Sequence, residues 1–165
     1  MWYNERRNKI AMSYIKKIFF GLGMVFIIIQ FIQPARNKNG HVLPADFGKK
    51  YIVPDNVQSV LQNACNDCHS NNTRYPWYSD IQPMAWMMAR HIKNGKEKLN
   101  FSDFGSNTTR KQISKLKEIA NQIKDGVMPV FSYKLMHKNA RLTKEEKKLI
   151  MDWMNKTADS LSANN

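Results

Sequence analysis

The pattern of apolar and polar positions predicts a succession of helices. A first amphipathic helix is predicted after Pro54, with Asp55 as its N-cap. Its apolar positions recur at i, i+3, i+4 and i+7, so they share one face. They are Val57, Val60, Leu61 and Ala64. This helix leads directly into the cysteine-containing segment at residues 63–69.

Two further amphipathic helices are predicted nearer the C-terminus. One runs from Thr109 to Lys124 and ends before Gly126, and Pro129 prevents it from resuming. The other begins after Thr143, which forms a capping box with Glu146. Their apolar faces are Ile113, Leu116, Ala120 and Ile123 in the first, and Leu149, Ile150, Trp153 and Met154 in the second. The expected fold class is therefore all-α.

A nearly continuous apolar run follows two lysines near the N-terminus. It extends from Ile18 to Ile32, and only Gln30 and two glycines interrupt it. A basic stretch before an apolar run is typical of an export signal. As a helix the run spans about 22 Å, against ~30 Å for a hydrocarbon core. No small-residue cleavage pattern follows it, which favours an uncleaved anchor over a cleaved signal. A buried core helix is disfavoured because the run has no polar face.

These features predict a membrane-anchored protein with one folded domain. The lysines and arginines before the apolar run keep that end in the cytoplasm, so the rest of the chain is exported. The expected organisation is a basic cytoplasmic N-terminus (1–17), a transmembrane signal-anchor (18–33), a polar tether (34–50), a folded domain (51–158) and a disordered tail (159–165).

The chain is strongly basic, with a net charge of +13. Five basic residues and one acidic residue lie in the first 17 positions, and the remaining excess is spread over the chain. A basic surface suits nucleic acid, an anionic membrane or an acidic protein partner. No nucleic-acid-binding motif is present, so nucleic-acid binding is not expected.

The only two cysteines lie in one five-residue window, Cys65-Asn66-Asp67-Cys68-His69. The pattern C-x-x-C-H is typical of covalent c-type haem attachment. Two thiols at this spacing can each form a thioether with one haem vinyl group, and the adjacent His69 can reach the iron from the same side. The export signal agrees with this interpretation, because cytochromes c are assembled on the exported side of bacterial membranes.

Two other readings of the cysteine pair are weaker. A thioredoxin-like redox motif would require a βαβ context, which is not predicted here. A zinc site would require four ligands, and there is no second cysteine pair. Only His41, His91 and His137 could complete such a site, at unusual spacing.

Met128 is the leading candidate for the second axial iron ligand. It lies in a Gly-Val-Met-Pro loop directly after the predicted helix 109–124. A methionine in a proline-stiffened loop can direct its thioether at iron without following a helix axis. Most other methionines lie in helical patterns, where core packing is the commoner role. His137 and His91 are the alternatives.

Beyond these motifs, the chain resembles the bacterial haem-binding domain family of short cytochrome-c-like proteins. The resemblance covers residues 50–155, and its most specific block is Thr73-Arg74-Tyr75-Pro76-Trp77-Tyr78-Ser79. It also includes the stretches 65–71, 91–96, 99–102 and 126–129, with Tyr133, His137 and the segment from Leu142 to Trp153. Lys96 departs from the arginine expected there. The resemblance implies a small helical domain around one haem and suggests placement at a membrane.

Residues near the motif are candidates for supporting the haem. Arg74, Trp77 and Tyr78 each carry a donor that could hold a propionate. Pro76 or Pro83 could leave a backbone carbonyl that accepts from the ring N–H of His69, the usual arrangement around a ligating histidine.

The expected function is electron transfer by one covalently bound haem c. The protein is expected to be a single-pass protein of the bacterial inner membrane, with the haem domain in the periplasm and a redox partner that is acidic at its docking face. Because His/Met ligation leaves no open iron position, an enzymatic role is not expected. The alternative is a peroxidase-like enzyme or a gas or redox sensor with a displaceable sixth ligand. Haem delivery, or a subunit role in a larger redox assembly, also remains open.

Overall fold

The computed structural model describes residues 2–163, and for residues 2–11 only the helical backbone is described. Over these residues there is no strand, and the prediction of an all-α fold is confirmed. The α-helices are α1 (Trp2–Gln30), α2 (Phe47–Lys50), α3 (Asp55–Ala64), α4 (Asn66–His69), α5 (Met84–Lys98), α6 (Thr109–Lys124), α7 (Phe131–Met136) and α8 (Lys144–Ala163). Short 3-10 helices span Trp77–Asp80, Phe101–Ser106 and Lys138–Ala140.

The chain divides into two compact units. The first contains the chain up to Arg36 together with Tyr75–Arg90, and the second contains Asn37–Arg74 and the chain from His91 onwards. In the first unit, α1 is longer than the predicted anchor of residues 18–33. Its segment Met12–Gln30 has a mean hydropathy of 1.8, and none of it is buried within the protein. By length and composition this segment can cross a membrane.

Hydrogen bonds hold the end of α1 to the start of α5 within the first unit. The backbone N–H of Gln82 donates to the side-chain oxygen of Gln30 over 2.9 Å. The Gln82 side-chain amide and the Trp86 indole N–H both donate to the Ile32 carbonyl, over 2.8 and 3.0 Å. Gln82 is fully buried. Its amide therefore satisfies backbone groups that the end of α1 leaves unpaired.

The core of the second unit is formed by α3, α6 and α8. The predicted face of α3 is confirmed, because all four of its apolar residues are buried. On α6 and α8, Leu116, Ile150 and Met154 are fully buried, and Ile113 and Trp153 pack against them at the edge of the core. Burial of these side chains provides the main stabilisation of a helical domain of this size.

The predicted helix ends are mostly confirmed. α6 has the predicted bounds, and the capping box of α8 is present: the N–H of Thr143 donates to Glu146 over 2.8 Å, and the N–H of Glu146 donates to Thr143 Oγ1 over 3.1 Å. The prediction of Asp55 as the N-cap of α3 was wrong. Pro54 holds the extended cap position, and Asp55 is the first helical residue, where its charge still complements the helix dipole.

The predicted polar tether at 34–50 is largely part of the folded second unit, which begins at Asn37. Phe47 is only 3% exposed. Its ring packs edge-on against Phe101 and Phe104, with centroid distances of 5.1 and 5.0 Å, and against Trp153 at 5.7 Å. The tether prediction was wrong because the segment, although mostly polar, contains one aromatic residue, Phe47, that is part of the core.

The C-terminal segment also differs from expectation. α8 continues to Ala163, so residues 159–163 are helical rather than a disordered tail. Ala158 is fully buried, and Leu161 packs against the core one turn later, which extends the helix beyond the predicted domain end at 158. Residues 164 and 165 of the predicted tail, and residue 1 of the predicted cytoplasmic segment, lie outside the described residues.

Candidate functional site

A cavity of about 310 Å³ opens in the second unit beside the cysteine motif. Cys65, His69 and Met128 all line it. Most of the remaining wall is apolar and consists of Ala64, Leu99, Phe101, Ile119, Ile123, Val127, Pro129 and Leu142. A cavity of this size and character, with a few polar groups at fixed positions, is typical of a cofactor site.

A second cavity of about 150 Å³ shares five wall residues with the first, including His69 and Met128. It adds Cys68, Tyr133 and His91 to the wall. The two adjoining cavities therefore bring together the four residues predicted to hold haem, although these come from two segments about sixty positions apart.

The imidazole of His69 is held by two backbone carbonyls near the end of α5. Its Nδ1 atom lies 3.1 Å from the carbonyl oxygen of Gly95 and 3.1 Å from that of Leu99. Carbonyls only accept, so Nδ1 carries the proton and Nε2 is left with a free lone pair. The expected acceptors, the carbonyls of Pro76 or Pro83, are not the ones used. The sequence does not reveal the partner because it comes from another helix.

Burial lowers the pKa of His69. The hydrogen bonds to the Leu99 and Gly95 carbonyls partly oppose this shift in pKa, and the nearby ammonium group of Lys115 adds to it. The imidazole is therefore neutral at pH 7, which is the state that coordinates a metal. This arrangement matches metal-ligating histidines, whose second nitrogen usually donates to a carbonyl or carboxylate.

The two cysteines are free thiols, and their environment keeps them protonated. Burial raises the pKa of Cys65 to about 12, and the neighbouring Cys68 contributes. Burial, with a contribution from Asp67, raises the pKa of Cys68 to about 11. Because thiol-disulfide exchange requires thiolate, these values disfavour a thioredoxin-like role. In the part of the chain that the structure describes, no group of three or more histidine, cysteine, aspartate or glutamate side chains is arranged to hold a metal ion.

Backbone hydrogen bonds fix the Met128 loop to the end of α6. Gly126 adopts a positive φ of 71°, a conformation that few residues other than glycine take up readily. Its N–H donates to the Ile123 carbonyl over 3.1 Å, and the N–H of Met128 donates to the Gln122 carbonyl over 3.1 Å. The position of Met128 in the cavity wall therefore depends on where α6 ends.

The structure also shows where the two alternative candidates for the second iron ligand, His91 and His137, are located. His91 lines the smaller cavity. His137 stacks on the ring of Tyr133, with a centroid distance of 4.1 Å and an interplanar angle of 17°. Burial lowers the pKa of His137. Of the three candidates, only Met128 lines both cavities together with His69.

Arg74 is engaged with a buried carboxylate inside the haem-attachment motif. Its Nε lies 3.1 Å from Oδ1 of Asp67, a residue that is 3% exposed. The hydroxyl of Tyr133 donates to the other carboxylate oxygen over 2.6 Å, and Thr73 Oγ1 donates to the Asp67 carbonyl over 2.6 Å. This network ties the motif to the segment that follows it and to α7. Propionate contact by Arg74 stays a prediction.

The other two predicted propionate contacts, Trp77 and Tyr78, belong to the first unit. Their rings pack edge to face with centroids 5.9 Å apart, and Trp77 is 75% exposed. Nothing in the described structure assigns either of them a ligand.

Several wall residues were not predicted. Leu99 and Phe101 form apolar wall, while Lys98 and Lys115 add positive charge. The family resemblance includes Gly95 in the stretch 91–96 but gives it no role. A glycine inside a helix is unfavourable and often has a packing reason, and that signal could have identified it.

The all-α fold fits a haem group, and so does the mainly apolar larger cavity, whose wall contains Cys65 and the neutral, carbonyl-held His69, with Cys68 in the wall of the adjoining cavity. Together these features define a haem-binding protein. The model of the haem-binding domain family matches residues 24–156. The chain belongs to this family, as the sequence resemblance indicated. No curated protein and no solved structure matches the chain.

Proposed function

We propose that this protein is a membrane-anchored c-type cytochrome that transfers electrons. Cys65 and Cys68 would hold one haem covalently through thioethers, and His69 and Met128 would be its axial ligands. The observation that carries the proposal is the state of His69: a neutral imidazole, fixed by the carbonyls of Gly95 and Leu99, in the same cavity wall as Cys65 and Met128.

Haem bound in this site supplies a reversible one-electron couple. The residues of the site would determine the reduction potential of this couple. His69 and Met128 as a ligand pair would raise the reduction potential relative to two nitrogen ligands. The apolar part of the wall would limit the access of water to the haem. If His69 and Met128 both held the iron, no position would be left for substrate, which would favour electron transfer over a peroxidase-like or sensory role.

The proposed location follows from α1. Its segment Met12–Gln30 would anchor the protein in the bacterial inner membrane, with the haem domain in the periplasm. The net charge of +13 favours transient docking on a redox partner that is acidic at its docking face.

The axial ligand is tested by expressing the full chain with cytochrome c maturation machinery and recording ferric and ferrous spectra. Wild type should be six-coordinate and low-spin, with a thioether charge-transfer band that Met128→Ala removes. Met136→Ala is the matched control, because Met136 lies on α7 and is 46% exposed. An unchanged spectrum in Met128→Ala would rule this ligand out. Rapid binding of cyanide or carbon monoxide by wild type would favour the enzyme or sensor alternative.

Covalent attachment is tested separately by denaturing mass spectrometry. Wild type should retain one haem mass after acid extraction, and the Cys65→Ala/Cys68→Ala variant should lose it. Non-covalent haem in wild type would leave a haem-binding protein without c-type attachment.

The location is tested by fractionation and by a C-terminal alkaline phosphatase fusion, which is active only when exported. We expect haem in the carbonate-washed membrane fraction and an active fusion. Release by carbonate would contradict a transmembrane anchor, and an inactive fusion would contradict the periplasmic orientation.

A further inference from the structure

We propose that Lys98 and Lys115 form a carboxylate-binding pair that holds the haem propionates at the solvent-facing edge of the larger cavity. The inference rests on the proposed placement of haem in this cavity. It assigns the propionates to residues other than Arg74, Trp77 and Tyr78.

Lys98 and Lys115 lie on different helices but are in hydrogen-bond contact. Lys98 is the last residue of α5, and Lys115 lies in the first half of α6. The ammonium group of Lys115 donates a hydrogen bond to the backbone carbonyl of Lys98. Both residues line the cavity that Cys65 and His69 also line. Lys98 is exposed and Lys115 is half-buried, so the pair marks the side of the cavity that faces water.

The positive charge of this pair is only partly balanced locally. Among the described residues, neither lysine forms an ion pair with a carboxylate, whereas Lys117 is paired with Asp159 and Lys148 with Asp152. Glu118 also lines the cavity and reduces the local excess to one positive charge. Two lysines in the wall of a mainly apolar cavity complement a ligand that has an apolar ring system and two carboxylates at one side.

Arg74 is less suited to this role, because its guanidinium already pairs with the buried Asp67. Withdrawing it would leave a buried carboxylate with one partner fewer, which is costly. Lysine has a flexible apolar stem and a compact charge. It can therefore pack along the cavity wall while its ammonium group reaches a carboxylate in water.

The test compares ferric haem with haem dimethyl ester, which has the same ring but no carboxylate charge. The full apo chain, expressed without maturation machinery and kept reduced in detergent, is titrated with each and binding is followed by absorbance. Wild type should bind haem more tightly than the ester by roughly tenfold, the size expected for two exposed ion pairs. The Lys98→Gln/Lys115→Gln variant should lose this preference, and Glu118→Gln should increase it.

Two controls make the result specific. Lys117→Gln removes one positive charge from a neighbouring position on α6 that does not line the cavity, and it should keep the wild-type preference. Lys98→Arg/Lys115→Arg keeps both charges and should also retain it, while circular dichroism checks that each variant is helical.

Each of the remaining outcomes would overturn either the lysine pair or the placement of haem in the cavity. An equal preference in wild type and the double glutamine variant would overturn the lysine pair and leave the haem site standing. A loss of preference in Lys117→Gln of the same size would also overturn it, because the effect would then reflect general surface charge. Failure of the folded wild-type chain to bind either compound would overturn the placement of haem in this cavity.

Discussion

Gly95 lies directly against Cys68: a Cβ atom added to Gly95 would be 2.7 Å from the Cys68 carbonyl oxygen and 3.3 Å from its Cβ. No ordinary side chain fits into this space. The close approach brings α5 near enough to the cysteine motif for the Gly95 carbonyl to accept from His69. The glycine therefore sets the distance between the two segments that hold the imidazole.

Replacing Gly95 by alanine should force α5 away from the motif. We expect a loss of about 1–3 kcal/mol in the free energy of unfolding from overpacking, partly offset by the better helix propensity of alanine. Urea denaturation of the holo protein measures this loss in unfolding free energy. Gly40→Ala is the control, because an added Cβ there meets nothing within 4 Å. Equal stability of Gly95→Ala and wild type would contradict the close approach.

Removing the Tyr133 hydroxyl should destabilise the motif. Tyr133→Phe keeps the ring that stacks on His137 but deprives the Asp67 carboxylate of a donor. We expect a loss of about 1.5–3 kcal/mol, the usual range for a hydrogen bond to a charged group. A double-mutant cycle with Asp67→Ala, which removes both carboxylate oxygens, isolates the pair when measured by denaturation. Strictly additive effects of the two substitutions would refute the interaction.

Thr143→Ala should shorten or fray the start of α8. The substitution removes the acceptor for the Glu146 N–H, and we expect a cost of about 1 kcal/mol in unfolding free energy. Thermal denaturation gives the measurement. Thr143→Ser retains the hydroxyl and should behave nearly as wild type, so a serine variant as unstable as the alanine variant would argue against capping.

The apo protein should lose stability as the pH falls below about 6.5. Burial lowers the pKa of His137 in the folded state, so the unfolded chain takes up a proton first as acid is added. This contribution to stability is complete above the unfolded pKa and decreases as the pH falls towards the folded pKa. Urea unfolding across this interval measures the slope.

His137→Gln should reduce that slope without abolishing it, because the pKa of His69 is also lowered. An identical slope in the variant and wild type would show that His137 makes no contribution. Since the substitution lies outside the proposed ligand set, the haem spectrum of the holo variant should be unchanged.

Local sequence patterns predicted much of this protein. α6 was predicted from Thr109 to Lys124 with the observed bounds, because its ends are set by residues within one turn of them. The capping box at Thr143 is local in the same way. The C-x-x-C-H motif and the loop at Met128 were recognisable because each consists of consecutive residues. The structure brings them to the same cavity.

Two of the errors concern interactions between distant segments. Phe47 lies in a polar stretch, and only the rings of Phe101 and Phe104 make it a core residue. One carbonyl that accepts from His69 belongs to Gly95, 26 positions further along the chain. The carbonyls of the nearer residues Pro76 and Pro83 were therefore the wrong acceptors to expect. Such pairings depend on how helices pack, which the periodicity of a single helix does not specify.

The two proposed iron ligands take their positions from different helices. His69 is oriented by carbonyls near the end of α5, whereas Met128 is fixed to the end of α6 by its backbone. Under the proposed ligation, the iron–sulfur bond would tie one helix end to the other. Slippage between α5 and α6 would stretch this bond before the helices melt. The thioether absorption band would then report the separation of the two helices. It would fade ahead of the helical circular dichroism signal during gradual denaturation.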